Sequence, residues 1–136
     1  MKSVTVVSED RVGLLADISY ILGKSNVNID GLFVDVIGGK AVISLEVRDP
    51  RKASDILARN GFRTTSQDAI IIKVANDHLE RVTEMLEGEK VQVKELSRVS
   101  SDNNDGIFAV TVDKPRKAVK LLNPFLLGNS PNPTYY

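Results

Sequence analysis

The sequence predicts an α+β chain made of two βαββαβ repeats, each an antiparallel sheet with two helices on one face. Three observations predict it. Short runs of β-branched residues alternate with apolar stripes at helical spacing, so strand and helix periods follow one another. That order of segments occurs twice within 136 residues. Finally, VRDPRKASDIL in the first half aligns with VDKPRKAVKLL in the second, which sets Ala53, Ile56 and Leu57 on Ala118, Leu121 and Leu122.

In the first repeat, SVTVV at residues 3–7 has strand composition and stops at Ser8-Glu9-Asp10. Leu14, Leu15, Ile18, Ile21 and Leu22 then place one apolar stripe on a helix. Ser25-Asn26 ends that helix, since asparagine tolerates the left-handed conformation of a helix stop. Residues 27–36 return to strand composition and Gly38-Gly39 turns the chain. Ala41, Ile43, Leu45 and Val47 then alternate with Val42, Ser44, Glu46 and Arg48 as in a half-buried strand. Asp49-Pro50 provides an N-cap and a first helical residue, and Asn60-Gly61 the stop, with residues 62–65 as a fourth strand. This is the split βαβ, or ferredoxin-like, arrangement.

The second repeat reads the same way. Residues 70–74 form a strand, and Leu79, Val82, Met85 and Leu86 a helical stripe. Residues 91–99 and 107–112 form a hairpin, and a helix opens at Pro115. NPFLL and GNSPNPTYY follow, so the last strand is expected to be short or missing. The expected domains are residues 1–66 and 67–128, with 129–136 as a flexible tail. Units this small bury little surface alone, so a homodimer is expected.

Composition narrows the function. Lys plus Arg and Asp plus Glu both count 18, so the chain as a whole carries no field that would draw a polyanion. The absence of cysteine removes thiolate chemistry and disulfides, and the single histidine, His78, makes no cluster; neither a metal nor a cofactor is expected. No segment approaches the roughly 20 apolar residues of a membrane span. A cytoplasmic protein without membrane or nucleic-acid partners is expected.

The stretch SEDRVGLLADISYILGKSNVNI, residues 8–29, carries the candidate site. Every polar residue in it has a possible structural duty. Asp10 stands at or just outside the helix N-cap, Gly13 permits close packing in the first turn, Asn26 suits the helix stop, and Asn28 can hydrogen-bond at a strand entry. Taken together, EDRVGLL, the apolar helix and NVNI resemble the ACT domains, small ligand-sensing modules of amino-acid metabolism, and the resemblance covers the whole first repeat.

That resemblance implies a small amino acid bound between two modules, held by the loop after the first strand of one and the start of a second strand nearby. The matching positions are Ser8, Asp10, Gly13 and Asn28. Amides at Arg11, Val12 and Gly13 would offer the helix N-terminus to the ligand carboxylate, and the missing Cβ of Gly13 lets it approach. Asp10 would take the ammonium group and Asn28 would bridge the zwitterion, while Leu14 shapes the side-chain pocket. Asn26, at the stop of the same helix, completes the candidate set. Val12 departs from the family pattern, in which proline very often precedes the glycine, so the loop loses the fixed φ of that residue.

The second repeat departs further. Residues 75–77, AND, run into His78-Leu79-Glu80 without a glycine, KVQV replaces NVNI, and the helix reads as about three residues shorter than the first. Gln92 falls at the Asn28 position and His78 reads as an exposed or capping residue. A scaffold role is expected of this repeat.

Two rival classes fit poorly. Acylphosphatase-like or kinase-like chemistry needs an anchored arginine or a glycine-rich phosphate loop, and no nucleophile stands with a base. RNA-recognition sheets stack bases on aromatic residues, whereas only Phe33 and Phe108 fall in strands here. The reading is a non-catalytic regulatory protein that senses a small amino acid and signals to a metabolic enzyme or regulator. No catalytic or DNA-binding domain is expected with it, so, unless the chain is a fragment, the target is expected on another polypeptide. A protein-interaction module without a ligand, and a regulatory subunit of an amino-acid biosynthetic enzyme, remain alternatives.

Overall fold

The computed structural model describes residues 3–65 and 69–127; the tail expected at 129–136 lies outside the described residues. The chain divides into two compact units, residues 1–67 and 68–136. No helix among the described residues is long and apolar enough to cross a membrane.

The first unit runs β1 (Ser3–Glu9), α1 (Leu14–Lys24), β2 (Ile29–Ile37), β3 (Lys40–Val47), α2 (Pro50–Arg59) and β4 (Arg63–Thr64). Its sheet has the order β2-β3-β1-β4, with every neighbouring pair antiparallel. Alternation decides which side chains meet the helices. Val4, Val6, Ile43 and Leu45 point to one face and pack on Leu14, Ile18 and Leu22 of α1 and Ala53 and Leu57 of α2. The expected five-residue stripe on α1 is narrower than its sequence suggests, because Leu15 remains 39% exposed. Asp49 caps α2 as expected, its side chain accepting from the Lys52 amide at 3.1 Å.

The second unit runs β5 (Ile70–Ala75), α3 (Leu79–Gly88), β6 (Val93–Ser101), β7 (Asp105–Val112) and α4 (Pro115–Leu122), with sheet order β5-β7-β6. The aligned helices bury the same positions: Ala53 and Leu57 in α2 match Ala118 and Leu122 in α4. Where β4 stands in the first unit, the second has an isolated antiparallel bridge between Ile72 and Leu126, and the Leu127 amide donates to the Ile71 carbonyl at 2.9 Å. The fold is thus α+β with the βαββαβ order twice, the last strand of the second copy reduced to that bridge.

Three helices end alike. After α1, the Asn26 amide donates to the Gly23 carbonyl and the Val27 amide to that of Leu22; Gly61-Phe62 does the same after α2, and Lys90-Val91 after α3. Each is a Schellman motif with its turning residue at positive φ: Asn26 60°, Gly61 85°, Lys90 63°. The motif consumes residues that composition assigned to strands, so β2 begins at Ile29 rather than 27 and β6 at Val93 rather than 91. Val27 and Val91 are buried as the apolar residue that follows such a stop.

The second unit's helix is shorter by one residue rather than by about three. α3 has 10 residues against 11 in α1. The loop before it is shorter as well: Asp10 to Gly13 joins β1 to α1 in the first unit, whereas in the second a single 3-10 turn, Asn76–His78, joins β5 to α3. The turn chemistry of the first loop is what the second unit lacks.

Candidate functional site

The loop after β1 is a type II turn. The Leu14 amide donates to the Arg11 carbonyl at 3.3 Å, and Gly13, third in the turn, has φ 82° and ψ 1°. This backbone is why glycine stands there. A Cβ at Gly13 would meet nothing within 4 Å, so close packing, the reason expected from sequence, does not require it. Gly13 is the N-cap of α1 and no side chain caps the helix, which corrects the capping role expected of Asp10. Asp10 is exposed, anchored through its amide to the Gly39 carbonyl at 3.2 Å, and its carboxylate forms no ion pair among the described residues.

The turn also decides which amides face outward. The first i to i−4 bond of α1 joins Asp17 to Gly13, and the Leu14 amide is taken by Arg11, so the amides of Leu15 and Ala16 have no backbone acceptor among the described residues. These extend the set expected at Arg11, Val12 and Gly13. Arg11 folds back on the helix, its Nη2 2.8 Å from Asp17 Oδ2, and its side chain is thereby held by a carboxylate. Val12 is 99% exposed.

Two depressions flank this loop. One, of about 320 Å³, is walled by Asp10, Arg11, Gly13 and Leu14 of the expected set together with Leu15, Ala16, Val34, Ala41 and Ile43. The other, of about 370 Å³, has Ser8 and Arg11 beside Lys40, Asn60 and Arg63. Ser8 lines this second depression and not the first, and its Oγ donates to the Glu9 carbonyl at 3.2 Å. Val34, Ala41 and Ile43 line the first depression without having been expected there. The signal was present in the alternation of the β2–β3 hairpin, where Val34 pairs with Ile43 and so shares its face.

Asn26 and Asn28 line neither depression. Asn26 is spent on the helix stop. Asn28 is exposed just before β2, whose nine residues at about 3.3 Å each put the strand's start roughly 25 Å from its end. The turn from Arg11 to Leu14 lies at the other end of the sheet, because β1 is antiparallel to β3 and Asp10 bonds to Gly39 in the β2–β3 turn. Within one unit, Asn28 and the loop cannot touch one small molecule.

The second unit fills the equivalent place with structure. The Asn76 amide donates to the Asn104 carbonyl as that of Asp10 does to Gly39, so Asn76 holds the place of Asp10. Its Nδ2 also donates to the Asp102 carbonyl at 2.9 Å, clasping the β6–β7 turn. Asp102 Oδ1 accepts from the Asn104 and Asp105 amides at 2.7 and 2.8 Å, and these bonds hold its carboxyl below the ordinary value. His78 is exposed beside Asp77, with Nε2 3.9 Å from Oδ1. No group of side chains suited to a metal ion occurs among the described residues.

The first unit is a βαββαβ module whose first helix opens at a glycine turn. Residues 2–59 match the family model described as ACT domain, and the match lies within the first unit. No curated protein matches the chain. Among solved structures, a protein of Bacteroides thetaiotaomicron is 24% identical over 89% of this chain and 85% of its own, with a TM-score of 0.49. The ligand-free regulatory subunit of aspartate kinase from Thermus thermophilus is 10% identical over 88% of each chain, with a TM-score of 0.43. The small subunit of acetolactate synthase from Thermotoga maritima is 11% identical over 90% of this chain and 84% of its own, with a TM-score of 0.41.

Proposed function

We propose that this chain is a non-catalytic cytoplasmic regulatory protein that binds a small amino acid between two copies of its first unit and signals occupancy to a metabolic enzyme. The observation that carries the reading is the glycine turn: it leaves helix amides free beside a depression that Asp10 helps to line. Amides suit a carboxylate and Asp10 suits an ammonium group, so the pair fits a zwitterion.

The distance from Asn28 to this turn calls for a second copy. β2 is an edge strand, and it exposes Leu32, Phe33, Val34 and Val36 at 43 to 50%. The corresponding edge of the second unit, β6, instead exposes Lys94, Glu95 and Arg98, charges that discourage edge pairing. Two β2 strands joined antiparallel about a two-fold axis bring the start of each beside the end of the other. The partner copy's Asn28 then arrives at the glycine turn, and each dimer has two composite sites.

Calorimetry on mixed variants tests this. Gly13→Val and Asn28→Ala homodimers should each bind poorly, the latter losing on the order of 1 to 3 kcal/mol. A mixed dimer regains one intact site, with its loop from the Asn28→Ala copy and its asparagine from the Gly13→Val copy. With equal amounts and random exchange half of the dimers are mixed, so about a quarter of the wild-type stoichiometry is expected on mixing, and Gln92→Ala should change little. A strictly monomeric mass by light scattering, or no recovery on mixing, refutes the composite site.

A further inference from the structure

We infer that the ligand is an aliphatic amino acid of the leucine, isoleucine and valine size class. The inference rests on the amino-acid reading above and names what that site selects. The depression at the glycine turn is about 320 Å³, at the small end of ligand pockets. Its polar side chains, Asp10 and Arg11, belong to the turn, and Arg11 is held by Asp17 at 2.8 Å.

Away from the turn, the walls are Leu14, Leu15, Val34, Ala41 and Ile43. Leu14, Ala41 and Ile43 are themselves buried and belong to the hydrophobic core, so the floor is fixed by the packing of the unit. None of these five side chains offers a hydrogen bond. A serine hydroxyl, a carboxamide or a charged side chain placed there would lose its water with no partner in return. None of the lining residues is aromatic, so a phenyl ring finds no stacking partner. A branched aliphatic group gains the full benefit of leaving water, and each methylene in such a pocket changes affinity about 10-fold or more.

A thermal-shift panel of the twenty amino acids, followed by calorimetry, tests the assignment. Leucine, isoleucine and valine should raise the unfolding midpoint most, and leucine should bind at least about 10-fold more tightly than alanine. Val34→Thr, which puts a hydroxyl in the wall, should narrow the gap between leucine and alanine. If a polar or aromatic amino acid binds best and is lost in Asn28→Ala, the aliphatic class is wrong while the site stands. If leucine binds but Val34→Thr leaves its advantage over alanine unchanged, the selecting wall lies elsewhere. If no amino acid shifts the midpoint, or binding ignores both Gly13→Val and Asn28→Ala, the amino-acid reading itself falls, and this inference with it.

Discussion

Replacing Val12 with proline should stabilise the first unit. Val12 occupies the second position of the type II turn closed by Arg11 and Leu14, where the fixed φ of proline matches the turn. Its side chain is 99% exposed, so no packing is lost. Its amide donates to no acceptor among the described residues, so no hydrogen bond is lost either. What remains is a narrower unfolded ensemble, which contributes about 0.4 to 1 kcal/mol. In a unit of this size about 1 kcal/mol moves the midpoint by 4 to 8 °C, so a rise of roughly 2 to 8 °C is expected by scanning calorimetry at neutral pH. The stiffer turn should also bind the ligand more tightly, since less order is lost on binding. A lower midpoint would refute the reasoning. It would mean that Arg11 is held out of the extended region that a following proline demands, or that the turn is not type II.

Three further changes probe single features. Gly13→Ala should destabilise by about 1 to 2 kcal/mol in urea unfolding, entirely through the positive φ, because the new Cβ has free space around it. Lys90→Gly should stabilise the second unit by up to about 1 kcal/mol, since Lys90 holds φ 63° at the end of α3; the Lys114 Nζ bond to its carbonyl, at 2.7 Å, survives the change. Asp102→Ala should weaken the β6–β7 turn in a pH-dependent way. The folded carboxyl titrates below its unfolded value, so its stabilising contribution is complete above the unfolded pKa near 4 and is lost as pH falls through the lower folded value. Wild type and variant should therefore differ in unfolding midpoint at neutral pH and converge in strong acid.

The sequence by itself determined the segments, their order and the repetition. Helix stripes and strand alternation are local periodicities, and Ala53 with Leu57, then Ala118 with Leu122, are buried where that period puts them. The Asp49 cap was legible because a cap is made within one turn. Asn26 was read correctly as a helix stop, although the motif's cost in strand length was not, since it depends on hydrogen bonds back into the helix. Only the tertiary structure decided the rest. It showed that Gly13 serves a backbone angle rather than close packing, and that Asn76 takes the place of Asp10 in the second unit. It also brought Val34, Ala41 and Ile43 to the glycine turn while leaving Asn28 at the far end of the sheet. Composition and spacing order residues along the chain, but strand direction and register fix which of them share an end of the sheet, and that is set by pairing between residues far apart in sequence.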